Sequence, residues 1–191
     1  MEKIVVREKN RKNYALEKSM LSRILFAVIF VAIMLFSAGT AHAEKKYAAV
    51  PTFHLKNLAG KKVYINNFKG KTVVISFWAT WCVPCKRELD DLAELYKKHN
   101  KNGLEIMAIA TDGPETFSQI RGVVKRHKWP FHILPDKAGE IVSILNPRGS
   151  IPYSIYVSPE GRLIYTHEGY SQGDAKKIAQ KIQKIMKGTY K

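Results

Sequence analysis

Apolar residues are grouped along the chain in runs of different period. The first is an uncharged stretch of 13 residues, Ile24 to Phe36 (ILFAVIFVAIMLF). As a helix it spans about 20 Å, against a hydrocarbon core of about 30 Å. Two seven-residue runs, Thr72–Trp78 (TVVISFW) and Leu104–Ala110 (LEIMAIA), have the length and composition of strands buried on both faces. Between them, Cys85, Leu89, Leu92 and Tyr96 fall at i, i+4, i+7 and i+11, one stripe of a helix running from Cys85 to Asn100. Strand, helix and strand at this spacing predict a βαβ unit whose two strands are parallel neighbours.

Shorter signals flank this unit. Val50 to Leu55 reads as extended, Asn57–Lys61 as a turn around Gly60, and Lys62–Ile65 as a short strand. Beyond Ala110, Thr111-Asp112-Gly113-Pro114 predicts a helix cap, with Asp112 accepting backbone N–H bonds and Pro114 in the first turn. Phe117, Ile120 and Val124 would line that helix, which Trp129-Pro130 stops. A strand at Phe131–Leu134 and a helix at Gly139–Leu145 follow. Tyr153–Val157 and Leu163–Thr166 are joined by Ser158-Pro159-Glu160-Gly161, whose turn chemistry predicts an antiparallel hairpin. The last helix, Asp174–Met186, presents Ile178, Ile182, Ile185 and Met186 on one face. The sum is an α/β domain, a mixed sheet with helices on both sides and one core.

The N-terminal run changes the picture of where this domain works. Residues 1–23 carry seven Lys/Arg and three Glu, and Ala41-His42-Ala43 follows the apolar stretch as a small-x-small cleavage site. Basic, apolar, small is the order of an export signal, expected over residues 1–43, with Met20 as an alternative start. The competing expectation is an uncleaved anchor over residues 24–41. A short linker at 44–49 and a folded domain at 50–188 complete the division. The 191-residue chain has a net charge of +16, and the 148 residues after position 43 keep +12. A basic surplus suits nucleic acid, but export argues against that partner, and the lysines of the last helix read as a solvated face.

Both cysteines of the protein lie in Trp81-Cys82-Val83-Pro84-Cys85, where a buried strand turns into a helix. Unpaired N–H groups and the helix dipole stabilise an anion there, so a Cys82 thiolate has a lowered pKa and is the competent nucleophile. Cys82 comes first and is expected at the exposed N-terminal edge, with Cys85, one turn further in, more buried. Attack by Cys82 on a substrate disulfide, then by Cys85 on Cys82, would release reduced substrate. Two other readings compete. A structural disulfide would close too small a loop to stabilise much. A metal site lacks a second cysteine pair, and the six histidines show no ligand spacing. No cofactor or resident metal is expected.

The string Phe77-Trp78-Ala79-Thr80-Trp81-Cys82-Val83-Pro84-Cys85 resembles the active-site stretch of thioredoxin-fold proteins, and most closely the exported TlpA/ResA-like thiol-disulfide reductases related to cytochrome c maturation thioredoxins. The resemblance covers about Val50 to Met186. It implies a thioredoxin-like fold with an N-terminal hairpin and an inserted helix-strand unit. It implies a cis-proline at Pro152, leaving the Ile151 backbone free to pair with substrate, with Tyr153 where the family usually has threonine. It also makes Glu88, three residues past Cys85, a candidate to move the Cys85 proton, because Ser76 stands where ordinary thioredoxins carry a buried aspartate. Asp90 replaces the family's usual proline. Trp81 and Pro84 are expected at the substrate surface.

The implied function is an extracytoplasmic, periplasmic-type oxidoreductase that reduces protein disulfides, apocytochrome c among them, recharged by a membrane donor of the DsbD/CcdA type. Alternatives are a copper metallochaperone of the same fold and a disulfide oxidase or isomerase. A peroxiredoxin would want Thr-x-x-Cys, and Thr80 is only two residues before Cys82.

Overall fold

The computed structural model describes residues 47–190. The expected export signal, or anchor, lies outside the described residues.

A small antiparallel hairpin comes first, β1 (His54–Lys56) against β2 (Lys62–Tyr64), continued by a 3-10 turn at Ile65–Phe68. The main sheet contains β3 (Thr72–Trp78), β4 (Leu104–Ala110), β5 (His132–Pro135), β6 (Tyr153–Val157) and β7 (Leu163–Glu168) in the order β5-β4-β3-β6-β7. The β3/β4 and β4/β5 pairs are parallel, and β6 and β7 are antiparallel additions. Helices α1 (Val83–His99), α2 (Ile120–His127), α3 (Glu140–Leu145) and α4 (Asp174–Met186) connect or follow the strands. This is the expected mixed-sheet α/β architecture with its N-terminal hairpin and inserted helix-strand unit.

Alternation along β3 divides the core. Val73, Ile75 and Phe77 face a layer built from the hairpin, the 3-10 turn and Ile141 of α3. Val74 and Trp78 face Leu89 and Leu92 of α1 and Ile178 and Ile182 of α4. The first layer is thus covered by the hairpin and one short helix, and the long helices α1 and α4 share the other side. Ser76 is buried in β3 between Val74 and Trp78 and belongs by alternation to the α1 side. It is a hydroxyl in an otherwise apolar strand.

Three local expectations shift. Residues 47–49, read as linker, already belong to the fold: Ala49 bridges Arg162, and the Leu163 N–H donates to the Ala48 carbonyl. Phe117 lies in a 3-10 turn (Phe117–Gln119), so α2 starts only at Ile120 and buries Ile120 and Val123. β7 extends to Glu168, two residues past the expected end.

The two ends of the described chain meet. Tyr47 donates its hydroxyl to the Tyr190 carbonyl at 2.9 Å, and their rings pack edge to face at 6.0 Å. The neighbouring Ala49–Arg162 bridge and the Val73↔Val157 pairing put this clasp at the end of the sheet where β3 begins, the pole opposite Trp78.

Core and surface positions separate in stability. Ile182 of α4 is fully buried, and Ile144 of α3 is 59% exposed. Ile182→Ala is expected to lower unfolding stability by about 2–5 kcal/mol, whereas Ile144→Ala stays within about 0.5 kcal/mol. Urea titration of both variants checks the contrast.

Candidate active site

The N-terminus of α1 is built by the cysteine pair. Cys82 is the N-cap, in extended conformation at φ −80° and ψ 102°, and its Sγ accepts the Cys85 N–H at 3.3 Å. Pro84 sits in the first turn, where its missing N–H leaves no helical bond unmade. Cys82 and Cys85 form a disulfide. Cys85 has no exposed surface and Cys82 keeps 5%. The order of burial is the expected one, but Cys82, expected at an exposed edge, is itself buried here: its Sγ is bonded to Cys85 and turned toward the Cys85 N–H. Its neighbours Trp81 and Val83 are 63% and 53% exposed. Trp78 is fully buried and stacks edge-on against Trp129. The first turn of α1 contains no acidic side chain, so no fixed negative charge in that turn opposes the helix dipole at Cys82.

The loop in front of Cys82 is held from the neighbouring strand. Both oxygens of the Asp112 carboxylate accept the Thr80 N–H at 3.1 Å, and Oδ1 also accepts the Thr80 hydroxyl at 2.5 Å. The Lys86 ammonium donates to the Thr80 carbonyl at 2.8 Å. This corrects the expected role of Asp112. It follows the end of β4, side by side with the end of β3, and the nearest orphan N–H belongs to Thr80, not to its own downstream helix. The Thr111 N–H donates to the Trp78 carbonyl at 2.8 Å and holds the two strand ends together.

Glu88 lies three residues past Cys85 on α1 with no exposed surface. The spacing i, i+3 places the two side chains on one helix face. Its carboxylate accepts the Ser154 hydroxyl at 2.7 Å and the Ser76 hydroxyl at 3.1 Å, one on each oxygen. Burial pushes the carboxyl up from its usual 4.5 to about 7; the two serine hydrogen bonds oppose the rise and the charge of Asp174 adds to it. Ser154 was not singled out from sequence, although a signal was present. It is the antiparallel register partner of Ser76, so two hydroxyls face the same buried spot from adjacent strands. Asp90, where the family usually has proline, accepts the Trp129 indole N–H at 2.8 Å and lies 2.8 Å from His127 Nδ1.

On the other side of β3, the Ile151–Pro152 peptide is cis. Tyr153 pairs with Phe77, which brings Pro152 level with the end of β3 that leads into the cysteine loop. The Pro152 carbonyl accepts the Gly169 N–H at 2.8 Å. Among the described residues no hydrogen bond reaches the Ile151 N–H or carbonyl. Tyr153 is half-buried, with its ring 6.1 Å from that of Phe77.

Comparison with known proteins agrees with this geometry. The AhpC/TSA family model matches residues 47–166. The thiol-disulfide oxidoreductase ResA of Bacillus thuringiensis subsp. konkukian is 32% identical over 157 residues, covering 78% of this chain and 89% of the relative. The sporulation thiol-disulfide oxidoreductase A of Bacillus subtilis is 29% identical over 144 residues, covering 74% and 86%. The fold of a putative thiol:disulfide interchange protein DsbE from Chlorobium tepidum superposes with a TM-score of 0.68 at 22% identity, covering 74% of this chain and 98% of that one. With its cysteine pair at the head of α1, the chain belongs to the AhpC/TSA family and, within it, to the ResA-like thiol-disulfide oxidoreductases.

Proposed function

We propose that this oxidoreductase works outside the cytoplasm as a reductase of protein disulfides, with apocytochrome c among its substrates. Cys82 is the attacking thiolate, Cys85 resolves the mixed disulfide, and Glu88 takes the Cys85 proton. The observation that carries the reading is the Cys82–Cys85 pair at the head of α1, with the Glu88 carboxyl buried on the Cys85 face of the same helix and raised by that burial to about 7. A carboxyl with that pKa exchanges protons readily near neutrality, as a general base must.

The cycle follows from the chemistry. The Cys82 thiolate attacks a substrate disulfide and one substrate sulfur leaves. Glu88 removes the Cys85 proton, and the new thiolate attacks Cys82 Sγ. The Cys82–Cys85 disulfide forms and the second substrate sulfur departs. Substrate pairs with the open Ile151 backbone by strand addition and lies against Trp81, Pro84, Pro152 and Tyr153. The basic, apolar, small order of residues 1–43 supports export, with cleavage after Ala43, and an oxidising compartment requires the pair to be recharged. A membrane protein of the DsbD/CcdA type supplies that need. The direction is supported by the segment between β4 and β6, which holds only two short helices and β5 where DsbA-like oxidases carry a large helical insertion.

Trapping tests the roles. Cys85→Ser is expected to accumulate a covalent complex through Cys82, and mass spectrometry of the captured chain names the substrate. Recovery of mixed disulfides through Cys85 in a Cys82→Ser variant instead would reverse the two roles. Redox titration against glutathione is expected to give a potential near the thioredoxin value of about −270 mV; one near about −120 mV would make the protein an oxidase.

The raised Glu88 pKa also predicts a pH signature in stability. Between 4.5 and about 7 the folded protein keeps a proton that the unfolded chain has lost. The contribution is therefore fully present below pH 4.5 and is lost as pH rises through 7. Glu88→Gln removes this dependence, so the variant should gain about 3 kcal/mol relative to the parent across that window. Urea midpoints of the oxidised proteins at both ends of the window measure it; parallel curves would show that Glu88 titrates normally.

A further inference from the structure

We propose, resting on the reading that substrate pairs with the Ile151 backbone, that Asn146 is a positioning residue: its side-chain amide holds the Ser150 carbonyl and so aims the Ile151 N–H at substrate.

The segment from Asn146 to Ile151 leads from the end of α3 to Pro152. Little in it can hold it in place. Pro147 has no N–H to donate. Gly149 turns the chain at φ +64°, where a side chain would be strained. The Ser150 hydroxyl is buried without a hydrogen-bond partner. Asn146 supplies what the other residues lack. Its N–H extends α3 by donating to the Val142 carbonyl at 2.8 Å, and its carbonyl accepts the Gly149 N–H at 2.8 Å. Its side-chain amide donates to the Ser150 carbonyl at 2.7 Å. A carbonyl only accepts, so Nδ2 is the atom that faces it. Asn146 is 2% exposed, so its amide has exchanged water for this bond.

The Ser150 carbonyl and the Ile151 N–H belong to one peptide unit. The unit is trans, so its oxygen and its hydrogen point in opposite directions within one plane. Tying the oxygen to the buried Asn146 therefore turns the Ile151 N–H the other way. Among the described residues no hydrogen bond reaches that N–H. Bonding at the carbonyl also polarises the unit, which strengthens the N–H as a donor. Tyr153 pairs with Phe77, so this peptide unit lies near the end of β3 that leads into the cysteine loop.

Two further tethers frame the segment, and neither touches the Ser150–Ile151 unit. The Gly169 N–H donates to the Pro152 carbonyl at 2.8 Å. The Arg148 guanidinium pairs with the Glu168 carboxylate at 2.8 Å. The Arg148 side chain is 74% exposed, and ion pairs at such positions contribute little. The orientation of the unit thus falls to Asn146. The group it prepares to meet is a main-chain carbonyl of an extended substrate segment, because an N–H can only donate.

Two disulfide-linked peptides test the assignment. One has amides throughout, and the other has backbone esters on both sides of its cysteine. An ester keeps the planar shape, has no N–H and accepts more weakly. The reduced parent protein is expected to react with the amide peptide about tenfold faster, for two pairing hydrogen bonds. Asn146→Leu keeps the branched shape without the donor, and is expected to bring the ratio down to about threefold. Each ratio compares two substrates on one protein, so a change in general thiol reactivity cancels. Urea unfolding checks that the variant is folded in the assay. A folded variant that keeps the tenfold ratio overturns the role of Asn146 and leaves strand pairing standing. Equal rates with the parent overturn strand pairing at Ile151, and the role of Asn146 with it. A measurement that leaves Asn146 in place covers a variant that does not fold. In the Cys85→Ser protein linked through Cys82 to the amide peptide, NMR should show a through-bond coupling between the Asn146 side-chain amide and the Ser150 carbonyl; its absence overturns the assignment.

Discussion

A carboxylate removed from water must be neutralised or paired with donors, and Glu88 has only two serine hydroxyls. Among the described residues, no cation is one of its partners. The result is a group near the midpoint of its titration at neutral pH, on the same helix face as Cys85. Everything around it serves that balance. β3 and β6 place one hydroxyl each at matched register, α1 lays the carboxyl over them, and α4 closes the space with Asp174 at its start.

The Cys82 end of α1 is held by a different logic. Thr80, the residue before Trp81, has its N–H, hydroxyl and carbonyl all engaged, the first two by Asp112 and the last by Lys86. A loop with every polar group of one residue fixed cannot drift, so the N-cap geometry at Cys82 is set by the neighbouring strand end as much as by α1 itself. Exposed Trp81 and Val83 then project from a fixed base.

Much of this was legible in the residues. The βαβ unit could be read because β3 and β4 are apolar on both faces, and α4 because its isoleucines keep a strict helical period; its bounds, Asp174–Met186, are those expected. The cysteine pair at a strand-to-helix junction, the cis-proline and the carboxyl three residues on were all found where the motif and the resemblance put them. Asp112 was misread because local capping rules see only the next few residues, whereas its partner Thr80 is 32 positions away in sequence and adjacent only after two strands pair in parallel. Ser154 was missed for the same reason, since its meaning depends on register with Ser76. The hairpin and the short α3 were expected as elements, but the sheet face they cover together could not be assigned, because elements that short show no period.

The Tyr47–Tyr190 clasp gathers both ends of the described chain at the pole of the domain away from the cysteine pair. The hydroxyl bond and the edge-to-face rings tie the first and last described turns to each other, so fraying at either terminus is resisted by the other and is met at the pole away from the sulfurs.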